Sequence, residues 1–214
     1  MTRAGGTGPA TTRRPTQADR SAYTRNALLE SAARGLSRYG YGRLRLEEVA
    51  REAGYTRGAL YHQFKDKQDL ALAVIAWIGE TWTQEVGSLI ERESEPVAAL
   101  LTLARGHAVY CRRDVARVVT ALRLEFNGQD HPVGREVERT YQEFVTDCMD
   151  LISAGREAGS IPPGPPVRTL ALAFVGALDG TVIALAGQAP HDELLAARAV
   201  AGVLGLDSLA VTHH

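Results

Sequence analysis

Between Arg45 and Leu70 the apolar positions fall into three short registers separated by turn residues. Leu46, Val49, Ala50 and Ala53 stand at i, i+3, i+4 and i+7, one face of a short helix. Gly54 follows at the helix end, where a residue without a Cβ takes the left-handed conformation most easily. Thr56 is placed to cap a second helix, in which Leu60 and Phe64 lie one turn apart and point back at the first. Arg57, Gly58, Tyr61 and His62 take the opposite face. A cation, a gap and two hydrogen-bonding aromatics on an outward face suit contact with nucleic acid. The pattern therefore predicts a helix-turn-helix with Thr56–Phe64 as its recognition helix.

The helical period continues on both sides. Ahead, residues 21–39 place Ala22, Leu28, Leu29, Ala32, Ala33 and Leu36 on one face, and Gly40 ends the run. Behind, Asp66 caps a fourth helix expected from Lys67 past Trp82, with Asp69 three residues on. Beyond Pro96, apolar faces recur at Val97, Leu100, Leu101, Ala104, Ala108 and Cys111, then at Val115, Val118, Val119, Leu122 and Phe126. Residues 127–132 read as a loop. A longer helix carries Val137, Tyr141, Phe144, Val145, Cys148 and Ile152 and closes near residues 155–159. The Pro-Gly-rich stretch 161–166 precedes an apolar helix over 167–186, and a last helix runs from Asp192 to Leu204 and ends at Gly205. No period-2 strand pattern occurs, so the expected fold class is all-α.

Charge divides the chain. Residues 1–80 carry 13 Lys and Arg against 8 Asp and Glu, a balance of +5; residues 81–214 carry 11 against 17, a balance of −6. A polyanion partner is expected only at the N-terminal third. Residues 1–20, rich in Gly, Thr, Pro and Arg, read as a disordered basic arm. Arg3, Arg13, Arg14 and Arg20 either contact DNA, as arms of other DNA-binding domains do, or are solvated. Two cysteines, Cys111 and Cys148, are too few for a disulfide framework and fit a reducing cytoplasm. The apolar run 170–186 is interrupted by Asp179 and two glycines, which argues against a membrane span.

The stretch 23–73, and above all EEVAREAGYTRGALYHQFKDKQDL, resembles the DNA-binding domain of TetR-family transcriptional regulators. The Ala50–Gly54 spacing, the TRGALYHQF block and KDKQDL opening the next helix carry the resemblance. Arg45 departs from it, standing where the family places a Ser or Thr that caps the second helix, and Tyr55 replaces a small aliphatic residue. The resemblance implies four segments: the arm 1–20, a helix-turn-helix domain 21–66, a connecting helix 67–85, and a helical effector-binding and dimerisation domain 86–214. It also implies DNA contacts by Thr56, Arg57, Gly58, Tyr61, His62 and Lys67, with Arg57 suited to bidentate contact with guanine. Thr56 and Lys67 lie at helix N-termini, which favour phosphate. A homodimer built by the last two helices would use Leu172, Val175, Gly176, Asp179, Gly180, Ile183, Leu194, Leu195 and Arg198; the rival reading is an intramolecular core helix.

No catalytic constellation can be assembled, and no cofactor or metal is expected. His107 and Cys111, four apart on a helix, lack an orienting acid and further ligands nearby. The residues at the margins of the apolar faces suggest a pocket for a small apolar effector lined by His107, Tyr110, Arg123, Tyr141 and Phe144. A filled core is the alternative. Trp77 and Trp82 serve either domain-junction packing or ligand contact. The whole chain reads as a one-component regulator, a homodimer repressing a palindromic double-stranded operator until an effector releases it. An inducer-free or activating DNA-binding protein and an oligomeric adaptor without DNA binding are the alternatives.

Overall fold

The computed structural model describes residues 16–185 and 187–206. Ten α-helices and no strand occur among them: α1 (Gln17–Arg43), α2 (Leu46–Glu52), α3 (Arg57–Gln63), α4 (Lys67–Trp82), α5 (Ser88–Ile90), α6 (Pro96–Tyr110), α7 (Val118–Glu125), α8 (Pro132–Glu157), α9 (Val167–Leu185) and α10 (His191–Leu204). The fold is all-α.

The start of α1 corrects the expected arm. Thr16 accepts the Asp19 N–H while the Asp19 carboxylate accepts the Thr16 N–H, a capping box that brings residues 17–20 into the helix. The rest of the expected arm, with Arg3, Arg13 and Arg14, lies outside the described residues. At the other end of α1, Gly40 breaks the helical dihedrals at φ 74°.

Two large clusters of buried side chains organise the molecule. The first joins Leu28, Leu36, Val49, Leu60, Phe64 and Leu70 with Val118, Leu122, Phe126, Val133 and Val137. The boundary expected at residue 66 is therefore not a boundary of the core, because α7 and the start of α8 fill the back of the N-terminal helices. The second cluster packs α6, α8, α9 and α10 around Leu100, Ile152, Phe174 and Val200. Trp77 packs on the first cluster and Trp82 on the second, so both stand at the junction.

The connecting helix does not stay regular. After α4 the backbone widens into a π turn at Thr83–Gly87 before α5. The Thr81 hydroxyl donates back into the preceding turn, 3.0 Å from both the Trp77 and Ile78 carbonyl oxygens, a contact that bends helices. A salt bridge closes the far side: Arg112, after α6, forks onto Asp192 of α10 through 2.9 and 2.8 Å hydrogen bonds, and Asp192 is buried.

Candidate nucleic-acid interface and effector region

The helix-turn-helix is assembled by local caps and one buried face. Leu60 and Phe64 are fully enclosed, and Thr56 accepts the Ala59 N–H at 3.2 Å to start α3. Gly54 takes φ 79° in the turn. Arg45 precedes α2 in an extended conformation and makes no side-chain cap, as its departure from Ser or Thr implied. The α1 helix holds α3 from behind: Arg25 donates to the Gln63 carbonyl oxygen at 3.2 Å and lies over the Phe64 ring, and Gln63 donates to Ser21.

The remaining face of α3 is open. Arg57, Gly58, Tyr61 and His62 are all exposed. A Cβ at Gly58 would meet nothing closer than the Thr56 hydroxyl at 3.8 Å, so its protein surroundings do not demand a glycine. Lys67 behaves differently from its expected role. Its ammonium donates to the Gly42 carbonyl oxygen at 3.0 Å and sits 4.6 Å over the Tyr41 ring, which engages it inside the domain. Burial draws its pKa down.

Residues 28–74 match the family model for bacterial regulatory proteins of the tetR family. The chain belongs to the TetR family of DNA-binding transcriptional regulators. The A-factor receptor protein of Streptomyces griseus is 30% identical over 147 residues, 67% of this chain; the chain spans 48% of that relative's length. Among solved structures, a TetR-family regulator from Streptomyces coelicolor matches with TM-score 0.69 and 23% identity, covering 86% of this chain and 95% of that one. AibR, in complex with isovaleryl coenzyme A and operator DNA, matches with TM-score 0.67 and 19% identity, covering 86% and 100%. At these identities the two structures speak to the fold.

The five residues expected to line an effector pocket do not converge on one space in this TetR-family chain. Trp82 donates its indole N–H to His107 Nδ1 at 3.2 Å, which leaves the proton on Nε2, 3.5 Å from Cys111 Sγ. Phe144 stacks on the His107 ring at 6.0 Å and meets Trp82 edge-on at 5.4 Å. Burial pushes the imidazole pKa down to about 4, so His107 is neutral and satisfied by protein partners. The Tyr110 hydroxyl is shared between the Thr81 hydroxyl and the Ile78 carbonyl oxygen. Arg123 lies 3.3 Å over the Tyr141 ring and reaches Glu138 at 3.3 Å. Two surface grooves take one of the five each: about 640 Å³ at the α7–α8 corner includes Arg123, and about 270 Å³ between α6 and the π turn includes Tyr110. No group of three or more metal-ligating side chains occurs among the described residues.

Sequence reasoning missed Glu125 and gave Asp179 only an interface role. Glu125, the last residue of α7, accepts backbone N–H groups of Tyr41 and Gly42. Asp179 on α9 is half-buried with no hydrogen-bond or ion-pair partner among the described residues, and burial raises its carboxyl pKa against the pull of Arg123.

The expected dimer residues are exposed except for two, Val175 and the half-buried Asp179. Leu172, Ile183, Leu194 and Leu195 are exposed, Ile183 at 71%, and Gly176, Gly180 and Arg198 accompany them. Val175 is instead turned inward, 2% exposed, in the core formed with α6, α8 and α10. It lies one turn from Ala171 and Leu178 on the buried stripe of α9. Helix α9 is also long and apolar enough to cross a membrane by length and composition.

Proposed function

We propose that this TetR-family regulator is a homodimeric repressor that binds a palindromic operator and is released by a small apolar effector. The observation that carries this reading is the open polar face of α3, with Arg57, Tyr61 and His62 exposed on a helix fixed by Thr56, Leu60 and Phe64. A single recognition helix of seven residues covers few base pairs. A two-fold dimer supplies a second one and matches a palindrome with half-sites spaced by whole turns of about 34–36 Å.

The exposed stripe of α9 and α10 supports the dimer. Leu172, Ile183, Leu194 and Leu195 put large apolar side chains in water on one side of a soluble bundle. A Cβ at Gly176 or Gly180 would meet nothing within 4 Å in the protomer, so both glycines open towards a partner helix rather than a neighbour in their own chain. A second copy covering this face also accounts for the apolar length of α9 without a bilayer. An operator-bound protein of this kind acts in the cytoplasm.

The effector region is the junction of α4, α6, α8 and α9. An effector enters there by opening the Trp82–Phe144 and Arg123–Tyr141 contacts, and meets Asp179, which has no partner among the described residues. His107 and Tyr110, already hydrogen-bonded within the protein, shape the walls rather than orient the effector. Ligand binding there acts on α4 and α8, whose first turns belong to the DNA-binding core.

Repeated selection of random-sequence duplexes by the purified full-length chain tests the proposal. The expected product is a palindromic motif bound by two protomers, with a mass of the complex to match. An enriched motif without two-fold symmetry, or none, contradicts it.

A further inference from the structure

The recognition arginine is not free on its helix. Glu47, in the first turn of α2, places Oε1 3.1 Å from Arg57 Nη1. On the other side, Arg57 Nη2 lies 3.5 Å from the Tyr61 hydroxyl, and the guanidinium carbon is 5.3 Å from the centre of the Tyr61 ring. A carboxylate, a hydroxyl and a ring face thus hold one guanidinium, and its remaining N–H groups stay open to the groove. Water screens an exposed pair of this kind and it adds little to folding, so stability is a poor reason for it. Nor does it help a protein hold DNA in general, because an acidic side chain beside the recognition helix repels phosphate.

We propose that Glu47 is a positioning residue for sequence discrimination. It fixes the Arg57 fork towards base edges and penalises the alternative in which Arg57 swings onto a phosphate. The inference rests on the reading of α3 as the recognition helix. Physically, the carboxylate removes rotamer freedom from a long side chain before DNA arrives, and its charge raises the cost of backbone-only complexes more than that of the base-paired fork. Weak general affinity is exchanged for a larger ratio between the right site and all others.

The test uses the full chain, a pool of random-sequence duplexes and a poly(dI-dC) duplex. Glu47→Ala should leave the thermal midpoint unchanged and bind poly(dI-dC) more tightly. The slope of log K against log salt should steepen by about 0.9, one additional phosphate neutralised by the released Arg57. The motif it selects should lose at least about five-fold discrimination at one symmetric base pair. Glu47→Gln, which keeps an acceptor for Arg57 but not the charge, should retain more of that discrimination than Glu47→Ala. In an Arg57→Ala background, Glu47→Ala should change neither motif nor slope. An unchanged slope and motif in Glu47→Ala overturns the proposal. So does an effect that persists without Arg57, which would mean that Glu47 reads a base itself. A wild-type chain that selects no motif overturns the operator reading and this inference together, an outcome distinct from both.

Discussion

The carboxylate of Glu125 accepts the backbone N–H of Tyr41 at 2.6 Å, joining the end of α7 to the turn that leads into α2. Its second oxygen accepts the Gly42 N–H at 2.7 Å. The fit depends on Gly40: a Cβ there would stand 2.5 Å from the Glu125 carboxylate, and the backbone is at φ 74°. Arg38 pairs with Asp114 at 2.7 Å on the same side, and Tyr41 packs at a tilt against Phe126 and edge-on against His131. Helix α7 is thereby fastened to the DNA-binding helices through main-chain groups, the kind of contact a shift of the C-terminal bundle must carry with it.

Glu125→Ala should cost about 1–3 kcal/mol in chemical denaturation, because two N–H groups lose their acceptor. Gly40→Ala should cost more than the roughly 1–3 kcal/mol of backbone strain at φ 74° and ψ 176°, since it also collides with Glu125. The double variant tells the two terms apart. Its destabilisation should fall short of the sum of the singles; strict additivity would mean that Gly40 and Glu125 are independent.

Arg45→Ser should stabilise the fold by about 1 kcal/mol by giving α2 the side-chain cap it lacks. The same change removes an exposed cation from the helix-turn-helix, so the salt dependence of binding to non-specific duplex should become shallower by up to about 0.9 in slope. A thermal midpoint that falls would show that Arg45 has a structural role absent from its contacts.

The helix-turn-helix was legible because its determinants are local. Leu46, Val49 and Ala50 repeat within one helix, Thr56 caps a residue three positions on, and Gly54 marks the turn between them. Side chains that act over long separations left no such trace. Glu125 meets a backbone N–H 84 positions away, and Lys67 finds the Gly42 carbonyl 25 positions back, so neither role shows in any window of sequence. The capping box at Thr16 and Asp19 was a local signal, obscured by the Gly-Pro-rich composition just ahead of it. Val175 shows the opposite limit: an almost wholly apolar helix carries too little polarity for its period to tell the inward face from the outward one.

His107 gives the fold a pH dependence of known sign. Its folded pKa, near 4, is below the ordinary 6.5, so between these values the unfolded chain takes up a proton that the folded one does not. Stability from this group is complete above pH 6.5 and is lost progressively as pH falls towards 4, by up to about 3 kcal/mol. Urea midpoints measured from pH 7 to pH 4.5 should fall more steeply for the wild type than for His107→Gln. Parallel profiles would place the imidazole in contact with water.

Ile183→Asp should yield a monomer in light scattering and sedimentation, because two carboxylates would face one another across the two-fold axis without partners. Ile183 is exposed in the protomer, so the monomer should keep its helical circular dichroism. A dimer of wild-type stability would remove the α9 stripe from the interface.

The central claim is that α3 reads DNA. The measurement that bears on it most directly is a fluorescence-anisotropy titration, at fixed salt, of wild type, Tyr61→Ala and Arg57→Ala against the selected duplex and a scrambled one. Tyr61→Ala should weaken binding to both duplexes alike, because a phosphate contact carries no sequence information. Arg57→Ala should lose about 1–3 kcal/mol on the selected duplex and little on the scrambled one. If both variants bind both duplexes as the wild type does, α3 is not the recognition helix.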